Sequence, residues 1–393
     1  MSRRSFMRRA ALTGALALAT VGCGLLAGLK LPELVDVDAA LPVTNDAATD
    51  GGLLPPCEPK IPPPPLDQGG AEQPRVTFAI EYVASGTVPE DAGTLAGGGE
   101  AGRLCVDPAI DLDGLNTCEN EGGVVTGGSC KSGIRQCDRK GGADNAAATL
   151  IALYQKGPAL DPQDDPNPAL REGRGGILLD VSAYNGKDDD NTVGVALLFA
   201  AGVRDVDGGL GAVPRWDGTD VWVAEQRSFT DSEVLRYVAR EAYVTGGLLV
   251  ARFENTPFNF GGSGSRLNAR EFVVTTRIVR TESGEPVRLD KGRIGVRIAI
   301  ETILDYAGGR LSAGRSLCDP SGNRAVLVAT ACGIADLSTN LTAPDANAPC
   351  DAISYAVGFY GIAAARESKP AAFDYDGGAP RACEYPPWPV ACP

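Results

Sequence analysis

The chain has 393 residues, with 36 Lys and Arg against 50 Asp and Glu, no histidine, and a formal net charge of −14. This acidic balance argues against nucleic acid as a partner, because phosphates demand basic contacts. The absence of histidine excludes Ser-His-Asp and Cys-His catalytic sites. With no histidine and no C-x-x-C pair, a structural zinc site is not expected.

Residues 1–22 have the pattern of a signal peptide. Arg3-Arg4 fits the twin-arginine export pattern, and the uncharged apolar run 10–22 is too short to span a bilayer as a helix. Small residues precede Cys23, as in the lipobox of bacterial lipoproteins, so Cys23 is predicted to carry a lipid and to be the first mature residue. The alternative is cleavage after Ala19, which would give a free secreted protein.

The cysteine count agrees with lipidation. Eleven cysteines are an odd number, and spending Cys23 on a lipid leaves ten. An even number of cysteines in an oxidising compartment predicts disulfides, although their connectivity does not follow from the sequence. The ten candidates are Cys57, Cys105, Cys118, Cys130, Cys137, Cys318, Cys332, Cys350, Cys383 and Cys392.

Composition divides the exported part into three. Residues 23–75 contain "GGLLPPCEPKIPPPPLDQGGAEQP", which favours extended polyproline conformation and predicts a tether that holds the folded part away from a membrane. Residues 76–366 are predicted to form a β-rich domain that includes a Cys- and Gly-rich segment, 105–145. Residues 367–393 are a tail with further Cys and Pro.

Runs of β-branched and aromatic residues separated by Gly, Asn and Asp predict strands. We expect a mainly β fold, an antiparallel two-sheet sandwich whose jelly-roll or immunoglobulin-like topology the sequence leaves open, with short helices. One helix is predicted from Asp144 or Asn145, as N-cap, to about Gln155, and another within 323–337. The predicted strands are 76–83, 176–186, 191–202, 220–226, 242–254, 271–281, 292–304 and 352–362.

The order of six landmarks resembles an uncharacterised family of exported, often lipid-anchored proteins of soil bacteria. The landmarks are "DLDGLNTC", "CDRKGGADNA", "SAYNGKDDDNTVGVALLF", "RWDGTDVW", "YVTGGLLVARF" and "APCDAISYAVGF". The resemblance covers roughly residues 100 to 360. It implies export and a β-rich fold, and it transfers no catalytic residue to this chain.

The pattern D-x-D-G occurs at 111–114, 205–208 and 374–377. Alternate carboxylates can face one cation while glycine permits a sharp turn, which is the logic of calcium loops. The alternative is that these are ordinary Asp-Gly turns of an acidic protein. A further acidic loop, Asp188–Asn191, joins two predicted strands. The first copy is the preferred calcium site, with Asp111, Asp113, Asn116 and Glu119 as candidate ligands.

Trp216 and Trp222 are six positions apart, which places them on one face of an unbroken strand. If exposed beside Asp217 and Asp220, they would resemble a sugar-stacking platform. The alternative is a pair of core aromatic residues.

An enzyme without histidine can hydrolyse a glycosidic bond with two carboxylates, but the sequence does not single out a pair. The sequence therefore predicts an exported, lipid-anchored cell-envelope protein with a non-catalytic binding or structural role. Its expected partners are the membrane, through the lipid, and a carbohydrate or envelope polymer. A secreted carbohydrate-active hydrolase is the alternative.

Overall fold

The computed structural model describes residues 57–66, 70–85, 103–105, 107–117, 128–132, 138–139, 141–148, 167–231, 234–258, 267–308, 311–312, 315–316, 323–343, 345–372 and 392. All of them belong to the unit Pro55–Pro393. The predicted signal peptide, Cys23 and the tether up to residue 56 lie outside the described residues.

The predicted mainly β fold is confirmed. In the described part of the chain, eleven strands form one hydrogen-bonded sheet and two more form a separate pair. The sheet consists of β1 (Val76–Ser85), β2 (Ile177–Ser182), β3 (Gly194–Arg204), β4 (Leu210–Ala212), β5 (Val221–Ala224), β6 (Tyr237–Val238), β7 (Glu241–Thr245), β8 (Leu248–Phe258), β9 (Leu267–Arg280), β10 (Pro286–Ala299) and β13 (Ala352–Arg366). The pair is β11 (Leu311–Ser312) and β12 (Arg315–Ser316).

Short helices complete the described secondary structure. They are Asn167–Arg171, Ile300–Gly308 and Asn323–Gly333, with one helical turn at 146–148 and a 3-10 turn at Gln226–Ser228. The helix predicted around Cys332 is therefore confirmed. A search of the described helices found none with the length and apolar character needed to cross a bilayer.

Strand β13 lies at the centre of the sheet. It pairs antiparallel with β10 along its length and with β1 through its second half, and its end pairs in parallel with β5. Ladders continue outwards through β9, β8 and β7 on one side and through β2 and β3 on the other. Apart from the β11–β12 pair, the described strands thus form one continuous sheet, and the predicted sandwich of two sheets is not confirmed.

The sheet curls so that its two sides share one apolar core. Val244 of β7 bridges to Asp190 in the β2–β3 turn, and the Ala239 N–H donates to the Val195 carbonyl of β3. Inward-facing residues of distant strands therefore meet, and each buried aliphatic or aromatic side chain contributes roughly 1.5–3 kcal/mol. The largest members of this inner core include Phe78, Leu179, Leu197, Phe253, Phe272 and Phe359.

Two predicted strands have different ends in the structure. The run 242–254 is a hairpin, β7 and β8, because Gly246 and Gly247 both have positive φ values, 54° and 75°, as a tight hairpin turn requires. The run 292–304 ends as a strand at Ala299, and helix Ile300–Gly308 follows directly.

The outer face of β9, β10 and β13 is covered by chain with almost no regular structure. We call this covering the Cys-rich cap, defined as the described residues 57–66, 103–105, 107–117, 138–139 and 141–148. Ile61, Ile110 and Leu112 of the cap pack on Val273 of β9 and Ala352 of β13. The cap and the inner core thus lie on opposite faces of the same strands.

Six of the ten candidate cysteines are in the described residues, and all six form disulfides. The pairs are Cys57–Cys105, Cys130–Cys350 and Cys332–Cys392. They indicate an oxidising compartment outside the cytoplasm, because cytosolic thiols are kept reduced. Cys118, Cys137, Cys318 and Cys383 lie outside the described residues.

The last part of the predicted tether lies against the domain. Cys57 is bonded to Cys105, the Pro59 carbonyl accepts a hydrogen bond from the Asp111 N–H (3.0 Å), and Ile61 is partly buried. A proline-rich segment lacks the N–H groups of a strand, but its carbonyl groups and rings can still bind a surface, and the interpretation as a free tether overlooked this.

Candidate functional site

The cap segment 107–117 is held on β10 by a close backbone approach. A Cβ atom on Gly295 would lie 3.2 Å from side-chain atoms of both Ile110 and Leu112. Such contacts are tighter than side chains normally accept, so glycine is what allows these residues to lie flat on the strand. The sequence of β10 thus fixes where the D-x-D-G loop sits.

Two buried arginines of β10 bind the carbonyl groups of the cap. Arg293 donates from Nη1 to the Glu58 carbonyl (2.6 Å) and the Ala109 carbonyl (3.4 Å). Arg297 donates from Nη2 to the Leu112 carbonyl (3.0 Å). Burial lowers the pKa of Arg293 to about 10, which leaves it charged at neutral pH. These bonds satisfy carbonyls that irregular chain would otherwise leave unpaired.

Three aspartates of the cap meet at this loop. The carboxylates of Asp111, Asp113 and Asp144 each have an oxygen within 4.8 Å of the other two. Asp144 comes from the segment after the D-x-D-G loop and is 2 % exposed. The sequence therefore predicted two members of this carboxylate cluster, and the fold supplies the third.

Backbone N–H groups hold one oxygen of each carboxylate. The Gly114 N–H donates to Asp111 Oδ1 (2.6 Å), the Leu115 N–H to Asp113 Oδ1 (2.9 Å) and the Leu112 N–H to Asp144 Oδ2 (2.6 Å). Within the described chain, no hydrogen-bond donor reaches the other oxygen of any of the three. Among the described residues, the cluster therefore offers three carboxylate oxygens that have no hydrogen bond.

The peptide of Leu112 is what orders the loop. Its N–H is bound by Asp144 and its carbonyl by Arg297, so both sides of the residue between Asp111 and Asp113 are fixed. The segment that carries Asp144 also lies very close to the loop. A Cβ atom on Gly142, whose φ is 82°, would lie 2.5 Å from the Leu115 carbonyl oxygen. Only glycine permits the second segment to reach the loop this closely.

The carboxylate cluster is electrostatically unfavourable by itself. Burial raises the pKa of Asp111 to about 6, with the charges of Asp113 and Asp138 adding to the rise. Burial also raises the pKa of Asp144 well above its ordinary value, and the charges of Asp336 and Asp113 add to it. Unit charges about 4 Å apart repel by roughly 4 kcal/mol at an effective dielectric of 20, so the cluster favours either protons or a cation.

Two more aspartates lie behind the cluster. Asp138 accepts hydrogen bonds from the Thr117 backbone, and burial raises its pKa. Asp336 is buried, accepts from the N–H and hydroxyl of Ser354 on β13, and has a raised pKa for the same reason. When ionised, Asp138 raises the pKa values of Asp111 and Asp144, and Asp336 raises that of Asp144.

Two other predictions concern this region, the ligands Asn116 and Glu119 and the helix from Asp144 or Asn145. Asn116 is half-buried in the same loop, and Glu119 lies outside the described residues. The helix predicted from Asp144 or Asn145 begins where expected: residues 146–148 are helical, the Asn145 carbonyl accepts from the Ala148 N–H, and 149–155 lie outside the described residues. The two side chains bind elsewhere, Asp144 to the Leu112 N–H and Asn145 to both backbone groups of Ala356 on β13.

The other acidic motifs serve as turns. Asp205 Oδ1 accepts from the N–H groups of Asp207 and Gly209 in the β3–β4 turn. In the loop Asp188–Asn191, Asp190 accepts from the Asn185 and Thr192 N–H groups, and Asp189 from the Gly246 N–H. That loop fixes the β7–β8 hairpin to the β2–β3 turn. The third copy, 374–377, lies outside the described residues.

Trp216 and Trp222 meet, but not as an exposed pair. Their ring centroids are 5.3 Å apart, Trp222 is 1 % exposed, and Trp216 is partly buried in the same outer cluster. Trp216 also has a φ of 58° and precedes β5, so the two residues do not share one unbroken strand. Trp222 therefore has no face available for a sugar, which agrees with the alternative of core aromatic residues.

Comparison with family models, curated proteins and solved structures gave no match to this chain.

Proposed function

We propose that this protein is an exported, non-catalytic envelope module whose Cys-rich cap binds calcium at Asp111, Asp113 and Asp144. The observation that supports this most directly is that Asp111, Asp113 and Asp144 bring one carboxylate oxygen each within 4.8 Å of the others, and that each carboxylate has one oxygen without a hydrogen bond among the described residues. A divalent cation placed among them would offset the repulsion that raises their pKa values.

The chemistry of the ligands favours calcium among common cations. All three are carboxylates, and hard oxygen ligands prefer Ca²⁺ or Mg²⁺ to zinc or copper. The loop backbone is fixed by Arg297, whereas the free oxygens leave room for water and carbonyl ligands. Ca²⁺ accepts six to eight such ligands in irregular geometry, and Mg²⁺ demands a near-ideal octahedron.

The expected role of the ion is structural. Asp111 and Asp113 belong to one cap segment and Asp144 to another, so one cation would cross-link the two. The cap is already held by the Cys57–Cys105 disulfide and by the buried arginines, and calcium would add a link between the D-x-D-G loop and the segment that carries Asp144. Extracellular calcium modules commonly bind with Kd of about 10⁻⁴ to 10⁻³ M, which suits an exported protein.

The disulfides of the described residues support export, and the amino-terminal sequence supports a lipid on Cys23 and a twin-arginine route. We propose attachment to the envelope membrane through that lipid, with the carbohydrate or polymer partner of the envelope still to be identified. A polysaccharide hydrolase would need carboxyl groups that a polymer can reach, and Asp144 and Asp336 are both buried.

The test is thermal unfolding of the mature protein in 10 mM calcium and in chelator. With Kd near 1 mM or below, calcium stabilises by at least about 1.4 kcal/mol, which raises the Tm by roughly 2 °C or more. Asp111→Asn should remove the shift. Asp207→Asn is the matched control, because it removes one charge from a D-x-D-G motif that forms only a turn.

An unchanged Tm between calcium and chelator would reject the calcium proposal. A shift that persists in Asp111→Asn but disappears in Asp207→Asn would place the ion elsewhere. Globomycin-type inhibition of lipoprotein processing, followed by mass spectrometry of the amino terminus, tests the lipid on Cys23 separately.

A further inference from the structure

A proline-rich segment crosses the outer face of the sheet and is fixed at its start and at its middle. We call residues Cys57–Leu66 the strap. Its first residue is bonded to Cys105, and the Glu58 carbonyl accepts from Arg293 of β10 (2.6 Å). At Pro62, the carbonyl accepts from the Tyr243 hydroxyl of β7 (2.5 Å). Burial raises the pKa of Tyr243, so the hydroxyl retains the proton that it donates.

The chain between these contacts is short and bends at Pro59 and Lys60. Strands β10 and β7 are three places apart in the sheet, or about 14 Å at the usual strand spacing of about 4.8 Å. Pro62 is four positions after Glu58, and four residues of chain span at most about 14 Å even when fully extended. Side chains of Arg293 and Tyr243 supply the remainder.

The four prolines Pro62–Pro65 favour the polyproline II conformation. Each of residues 61–64 precedes a proline, whose ring excludes the helical region for its neighbour, and each proline has its own φ fixed near −65°. The run Pro62–Pro65 is therefore a rigid polyproline II rod whose first residue is fastened to the protein.

Part of the proline run is exposed to solvent. Pro63 and Pro64 are exposed, as is Lys60 before them, and Leu66 is 89 % exposed. In the part of the chain that the structure describes, no donor reaches the carbonyl oxygens of Pro63, Pro64 or Pro65. The contacts with the domain end at Pro62. The proline rings and carbonyl groups of Pro63 and Pro64 and the side chain of Leu66 are therefore available to a partner.

We propose that the strap is a recognition surface for a partner protein whose aromatic-lined groove binds polyproline. Such grooves pack aromatic rings on proline rings and donate hydrogen bonds to their carbonyl oxygens, both of which the strap presents. Binding would cost little order, because the disulfide and Tyr243 have already fixed the segment. Because Pro62–Pro65 have no backbone N–H groups, this run cannot join another sheet as a strand.

The experiment measures binding of the full mature chain to a panel of purified polyproline-binding domains, of the SH3, WW and EVH1 classes, by titration. At least one domain should bind the folded protein about 10-fold more tightly than it binds a free peptide of residues 58–66. Pro63→Ala combined with Pro64→Ala should weaken that binding 10-fold or more without changing the Tm.

Tyr243→Phe is the sharpest variant, because it removes only the hydroxyl that fastens Pro62 and leaves every exposed group in place. It should weaken binding about 3-fold, whereas Val206→Ala, at another exposed apolar residue, should have no effect. Failure of every domain to bind, or equal binding by the double alanine variant, would overturn the proposal. So would a free peptide that binds as tightly as the folded chain. None of these measurements depends on calcium.

Discussion

The two faces of β9 and β10 are stabilised in different ways. On the inner face, Phe272, Val274 and Ile294 are simply buried in an apolar core that the whole sheet shares. On the outer face, Arg293 and Arg297 bind carbonyl groups of irregular chain. The stability of the inner face thus comes from buried apolar area, which is not directional. The stability of the outer face comes from hydrogen bonds, and each buried donor or acceptor there needs a partner.

The difference matters for how each region can fail. Loss of apolar packing weakens every strand that lines the core, because the sheet encloses a single cluster. Loss of one polar anchor in the cap leaves a buried group unpaired but touches only the segment that it holds. We therefore expect damage to the inner face to unfold the sheet, and damage to the outer face to loosen the cap first.

The largest effect is expected for Phe272→Ala. Phe272 is fully buried and packs edge-to-face on Phe253 at 5.7 Å between centroids. Its truncation should cost about 3–5 kcal/mol in the free energy of unfolding, measured by urea titration. Val206→Ala, in an exposed turn, should change it by less than about 0.5 kcal/mol. Similar losses for both would contradict the shared inner core.

A somewhat smaller and more local effect is expected for Arg297→Met. The variant removes one of the two arginines that bind the Glu271 carboxylate, Arg252 being the other, and takes away the donor to the Leu112 and Ser338 carbonyls, which should cost about 3 kcal/mol. Hydrogen exchange should accelerate at 107–117 before it changes in β1 or β13. Arg270→Met, which breaks an exposed pair with Glu301, is the control and should cost less than about 1 kcal/mol.

The smallest effect concerns pH in chelator. Because burial raises the pKa of Asp111 to about 6, and those of Asp138, Asp144 and Asp336 also rise, the folded state holds protons more tightly than the unfolded state. The destabilisation is absent below pH 4 and grows as pH rises through 6. This contribution predicts that Tm falls by a few degrees between pH 4.5 and 7.5, and calcium should reduce the slope. A Tm that rises over this range would contradict the buried cluster.

The inner face could be predicted from sequence because its signal is local. Alternation in 271–281 identified β9, and the same pattern located β1, β3 and β13 within a few residues. The hairpin at Gly246 was missed because two strands and their turn form one continuous apolar run. The single curled sheet was also missed, since strand pairing between residues such as Phe78 and Ala363 leaves no trace in periodicity.

The cap could be predicted only in part because its contacts are long-range. Asp111 and Asp113 carry a recognisable spacing, but Asp144 reaches them only after two glycines allow the chain to return. Its Asp-Asn-Ala context favoured a helix cap, and the tertiary bond to the Leu112 N–H replaced that role. The arginines of β10 were visible as charges in a strand, with no signal for what they would bind.

The position of β13 after every other strand of the sheet affects how the protein can be made. Both halves of the sheet are joined through Ala352–Arg366, so a nascent chain still lacking these residues cannot complete either half. Completion of the sheet must wait until residues up to Arg366 have left the ribosome, and high contact order makes it slow. An export route that carries finished structures, as the amino-terminal arginine pair predicts, would give the chain that time before it crosses the membrane.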